Sequence, residues 1–109
     1  MELTCVGMRH HVTPHTLREM SRLAPLMVTL KRDTENIHDE NAIAVICNER
    51  PWKGMRVGYV PRQTAAEIAP RMDGGKIQFT GGYLNDVDDE SGIGNMVVAF
   101  QKPVNKPKN

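Results

Sequence analysis

The residues best equipped for chemistry fall in one polar stretch, Arg32-Asp33-Thr34-Glu35-Asn36-Ile37-His38-Asp39-Glu40-Asn41. Asp and Asn side chains hydrogen-bond their own backbone and build tight turns. Asn36 and Asp39 are therefore expected to cap this one, and a turn so held offers a ligand a rigid set of acceptors. Two catalytic readings start from the same residues. Asp39 with His38 or His10 would form an acid–base pair. Asp33, Glu35, Asp39 and Glu40 are the carboxylates that a small metal-dependent nuclease would need. Nothing else in the chain supports either, since it has no nucleophile elbow, phosphate loop or metal–carboxylate spacing. His11 and His15 are four apart, but Pro14 between them starts a helix and breaks the geometry that a zinc pair requires. The acidic run Asp86 to Glu90 lacks the Gly and terminal Glu of a calcium loop and reads as solvated. No catalysis, metal or cofactor is expected.

Size and composition narrow the remaining classes. At 109 residues the chain supports one core and not two. No apolar run approaches the roughly 20 residues that span a bilayer, and the N-terminus lacks a secretory signal pattern. The expected compartment is the cytoplasm, so Cys5 and Cys47, both in apolar runs, are expected as buried free thiols. The net charge is +1, whereas a protein that coats duplex DNA carries a clear basic excess. Any nucleic-acid contact should be a local pocket.

Short β-type runs must position these residues. Residues 3–9 read as a first strand. Thr13-Pro14 is an N-cap followed by proline at the first helical position, opening a helix over 14–23 with Leu17, Met20 and Leu23 on one face. Leu26 to Arg32 alternates as a second strand, Ala42 to Cys47 makes a third, and Met55 to Val60 a fourth across a hairpin connection at 48–54. Pro61 opens a second helix with Ala65, Ile68, Ala69 and Met72 on its inner stripe, and Pro70 should end or kink it near Ala69. Lys76 to Leu84 is the fifth strand, 85–92 an acidic loop, and Asn95 to Gln101 the sixth. The tail, 102–109, is too polar to fold and is expected to be disordered. Six short strands and two short helices predict a mainly β fold, a small six-stranded barrel, because closure removes exposed edges.

Four pieces of this sequence occur in an order that resembles the HIRAN domain family. They are Val6-Gly7-Met8-Arg9 at the first strand; the turn Arg32-Asp33-x-x-Asn36-x-x-Asp39-x-Asn41-Ala42-Ile43; the junction Val57-Gly58-Tyr59-Val60-Pro61-Arg62; and the Ala-rich helix 65–69 before an Asp-Gly stop. The resemblance covers about residues 4–100. It implies an OB-like barrel over 1–101 that binds nucleic acid, in particular the free 3′-hydroxyl end of single-stranded DNA, in repair- or replication-type processes. On that mapping Arg9 and Arg62 hold backbone phosphates, a task suited to guanidinium forks. Asp39, framed by Asn36, accepts a hydrogen bond from the terminal hydroxyl and repels a 3′-phosphate. His10 and His38 fall where the family often places stacking aromatics. Imidazole stacks less surface than phenol, but once protonated it attracts a phosphate, which would strengthen binding as pH falls toward about 6. A separate helicase or nuclease is the partner such a module would serve. The alternative is a protein-interaction adaptor using Trp52 and the 86–90 loop.

Overall fold

The computed structural model describes residues 1–103. From residue 104 onward, the tail expected to be disordered lies outside them. Six antiparallel strands, β1 (Glu2–Cys5), β2 (Leu26–Arg32), β3 (Ile43–Cys47), β4 (Arg56–Tyr59), β5 (Gln78–Asp88) and β6 (Ile93–Gln101), form one sheet in the order β1-β6-β5-β2-β3-β4. Two helices, α1 (Pro14–Leu23) and α2 (Arg62–Asp73), complete the fold. The sheet curls until its end strands meet. There Val6 and Tyr59 exchange two backbone hydrogen bonds, of 2.8 and 3.0 Å, and this lone bridge joins β1 to β4. The expected mainly β, barrel-like fold is the one observed.

Alternation explains most of the strands. In β2, Leu26, Val28 and Leu30 point inward while Met27 and Lys31 face solvent. In β6, Met96 and Val98 are buried between exposed Asn95, Val97 and Ala99. Helix α1 begins as its sequence predicts, with Thr13 Oγ1 accepting the Thr16 N–H at 3.1 Å and Leu17 and Met20 buried. Leu23, placed on the same face in the sequence reading, is instead exposed.

Three expectations are corrected. The first strand does not run to residue 9. It stops at Cys5, and after the Val6 bridge Gly7 adopts φ +73° and turns the chain into a 3₁₀ turn at Met8–His10, whose Met8 plugs the core. Helix α2 does not end near Ala69 but passes Pro70 and stops at Asp73. Pro70 lies on the exposed face, its carbonyl accepts the Gly74 N–H at 2.9 Å, and Met72 beyond it packs against the core. Residues 85–88 are not a loop. A register shift between Leu84 and Asp86 changes the phase of β5, so that Leu84 and Val87 both point inward and Asp86 and Asp88 outward. The true turn is Asp89–Gly92, tied by the Asp88 carboxylate accepting the Glu90 N–H at 2.9 Å.

Cys5 and Cys47 are free and buried. Burial pushes the Cys5 thiol up to about 12. Since the thiolate is the reactive form, this leaves about a thousandfold less of it than an unburied cysteine has. Cys5 is therefore expected to resist a disulfide reagent at pH 8 until urea unfolds the chain. Equal rates with and without urea would show that the β1–β4 junction opens freely.

Candidate nucleic-acid interface

Tyr59 is the point on which the candidate site is assembled. Its backbone bridges Val6, which leads directly into the 3₁₀ turn carrying Arg9 and His10. Its hydroxyl donates to Asp33 Oδ2 at 2.7 Å, fixing the start of the polar turn. Its ring lies 5.4 Å from that of His11. Three residues further on, Arg62 opens α2. The six residues singled out from the sequence thus come from three segments, each reached from this one tyrosine, which is itself half-buried as a strand residue.

The turn between β2 and β3 is rigid because its side chains satisfy its own backbone. Asn36 Oδ1 accepts the N–H groups of His38 and Asp39 at 2.9 and 3.0 Å, and Asp39 Oδ1 accepts that of Asn41 at 2.9 Å. The capping expected of Asn36 and Asp39 is present. Asp39 Oδ2 has no hydrogen-bond partner among the described residues, and His38 and Ile37 stand exposed at the tip. Arg32 holds the base of the turn, its guanidinium donating to the carbonyls of Glu40 (2.8 Å) and Ala42 and to both oxygens of Asp73 on α2 (2.9 and 3.1 Å).

Electrostatics follow these contacts. The Tyr59 hydroxyl, assisted by the Arg56 guanidinium, holds the Asp33 carboxyl below the usual carboxylate range. Arg56 donates to the Tyr59 hydroxyl at 2.8 Å and lies 3.6 Å from Asp33, so a charged chain of three side chains links β4 to the start of the polar turn. Partial burial, then Arg56 and His10, push His11 below its ordinary value and keep it neutral near pH 7.

The remaining predicted residues are placed less centrally. Arg62 and His10 are exposed with no hydrogen bond to the turn. Arg9 is also exposed, but its side chain runs over Gly92 and lines a cleft with Asp89 and Glu90. Lys31 does not join Arg9 and Arg62 in one basic pocket. It lines a separate groove of about 460 Å³ with Arg32, Arg56, Asp33 and Glu35, of mixed charge. Trp52 is half-buried and packs against the core, so the exposed apolar patch that an adaptor would present there is absent. Among the described residues no three His, Cys, Asp or Glu side chains gather to hold a metal, and no helix is long and apolar enough to cross a membrane. Sequence reasoning missed Arg32, Asp33 and Arg56 as the frame of the site.

Comparison with known proteins agrees with the fold. No curated protein sequence matches the chain. The crystal structure of the HIRAN domain of human HLTF superposes with a TM-score of 0.71 at 24% identity, over 92% of this chain and 73% of that one. A crystal structure of a Lactobacillus plantarum protein gives 0.66 at 24% identity, over 89% and 87%. The NMR structure of the HLTF HIRAN domain in its DNA-bound conformation gives 0.62 at 24% identity, over 92% and 72%. The HIRAN domain family model matches residues 1–102, nearly all of the sequence, and the chain belongs to that family.

Proposed function

We propose that this chain is a non-enzymatic module that binds single-stranded DNA by its free 3′-hydroxyl end. The observation that carries the reading is the convergence on Tyr59 of the three segments bearing Arg9 and His10, Asn36 to Asp39, and Arg62, in a family one of whose members has been solved in a DNA-bound conformation. In this arrangement Arg9 and Arg62 contact phosphates and His10 and His38 lie against the last bases. Asp39 accepts the terminal hydroxyl on Oδ2 while Oδ1 stays bound to the turn. A rigid acceptor forgoes the ordering cost that a mobile loop would incur on binding. The module would supply end recognition, in DNA repair or replication, to a separate helicase or nuclease.

The test is fluorescence anisotropy with short single-stranded DNAs ending in a 3′-hydroxyl or a 3′-phosphate, at low salt and at two pH values. Wild-type protein is expected to prefer the hydroxyl. Asp39→Ala should weaken its binding roughly tenfold, the cost of a charge-assisted hydrogen bond. Asp39→Asn, which can still accept from Asn41, should bind both ends because it no longer repels the phosphate. Equal wild-type affinity for the two ends would sink the proposal.

A further inference from the structure

The far end of α2 carries a second cationic site that the end-binding pocket does not use. Arg71, Lys76 and Lys102 line an open cleft of about 580 Å³, floored by Gly74 and Gly75. They arrive from three places: the last turn of α2, the segment after it, and the end of β6. The helix dipole accounts for a cation at the position of Arg71, but not for the other two. Among the described residues no carboxylate lines the cleft and none of the three cations is in an ion pair. The nearest acid in sequence, Asp73, is already held by Arg32 through two hydrogen bonds. Beyond Glu90 the sequence contains no Asp or Glu, and it adds Lys106 and Lys108 after Lys102. Three like charges brought to one cleft repel one another, and an anion between them removes that cost.

We propose that this cleft is a second phosphate-binding subsite that extends the nucleic-acid footprint beyond the terminal pocket. The assignment of its ligand as the DNA backbone rests on the function proposed above. Arg32 gives the two sites a physical connection, since one guanidinium grips both the base of the polar turn and Asp73 beside the cleft. Arg62 and Arg71 are nine residues apart on α2, about 14 Å along its axis. A strand touching both must therefore be at least about three nucleotides long, and a dinucleotide held by its end cannot reach the cleft.

The experiment titrates the full chain and the variant Arg71→Gln/Lys76→Gln/Lys102→Gln with oligothymidylates of two and twelve nucleotides, by anisotropy across a salt series. All three side chains are exposed, so the variant should keep its melting temperature. The twelve-mer should weaken roughly tenfold at low salt, with the slope of log affinity against log salt falling by about 2, and the dinucleotide should be unaffected. A control variant with the same charge loss elsewhere, Arg18→Gln/Arg50→Gln/Lys53→Gln, should leave twelve-mer binding close to wild type. Equal weakening of both lengths, an unchanged slope, or an equal effect of the control would overturn the subsite. Failure of end capture reads out separately, as wild-type binding that ignores whether the 3′ end is hydroxyl or phosphate. Absence of any wild-type binding would overturn both.

Discussion

Gly58→Ala is expected to cost about 3 kcal/mol of stability, at the upper end of what overpacking a filled site costs. The residue sits between Val57 and the bridging Tyr59, where β4 meets the end of β1. A Cβ built there would lie 2.6 Å from Cys5 Sγ, 2.7 Å from the Val6 carbonyl oxygen and 3.3 Å from Met8 Cγ. The sulfur is fully buried and the carbonyl belongs to the backbone that forms the bridge, so neither can move aside without opening it. At this size the loss corresponds to a melting temperature lower by roughly 15 °C. Gly81→Ala is the internal control. A Cβ there meets nothing within 4 Å and the backbone angle is ordinary, so its effect should stay within about 0.5 kcal/mol. Calorimetry on the pair decides the matter, and similar melting temperatures would mean that closure at the β1–β4 junction contributes little.

Arg32→Ala should have the second largest effect, about 2 kcal/mol, and should be felt at the turn before the core. The guanidinium provides hydrogen bonds from a charged donor to the carbonyls of Glu40 and Ala42, each worth more than a neutral one. Its ion pair with Asp73 is on an exposed carboxylate and adds little by itself. Arg32→Lys should recover only part of the loss, because an ammonium cannot bridge two carbonyls and a carboxylate as a planar fork does. Amide hydrogen exchange is the direct measurement. The N–H groups of Asp33, His38, Asp39 and Asn41, all bonded within the turn, should exchange faster in Arg32→Ala, and 3′-end affinity should fall with them. Unchanged protection at those four positions would show that the Asn36 and Asp39 caps suffice without the clamp.

Local patterns in the sequence were enough for the parts of the fold that local forces decide. The alternation of Leu26, Val28 and Leu30 marks β2, and the Thr13-Pro14 cap marks the start of α1. The self-capping of Asn36 and Asp39 was legible because it involves neighbours in the chain. What was not legible depends on partners far away. Pro70 fails to stop α2 because Met72 and Asp73 have contacts to make beyond it, one with the core and one with a residue 41 positions earlier. Val87 in an acidic run looks like a loop residue until a bulge turns it inward. The Tyr59–Asp33–Arg56 chain has no signature at all, since none of its spacings is periodic. The nucleic-acid roles of the six candidate residues came from family resemblance, whereas the side chains that hold their segments in place emerge only from the folded structure.

The position of β1 has a consequence for how the molecule is made. It pairs with β6, Glu2 opposite Val97, and the terminal amino group donates to the Val98 carbonyl at 3.0 Å across 97 residues of sequence. During synthesis the first strand must wait, unpaired, until the last one has left the ribosome. At about 5–20 residues per second that interval is several seconds, during which β1 is an exposed edge available to other chains. A nascent chain halted before Ile93 would hold β2 to β5 but lack the partner for its own beginning. Folding of this domain is therefore completed only once β6 is available, through its most non-local pairing and not through its helices.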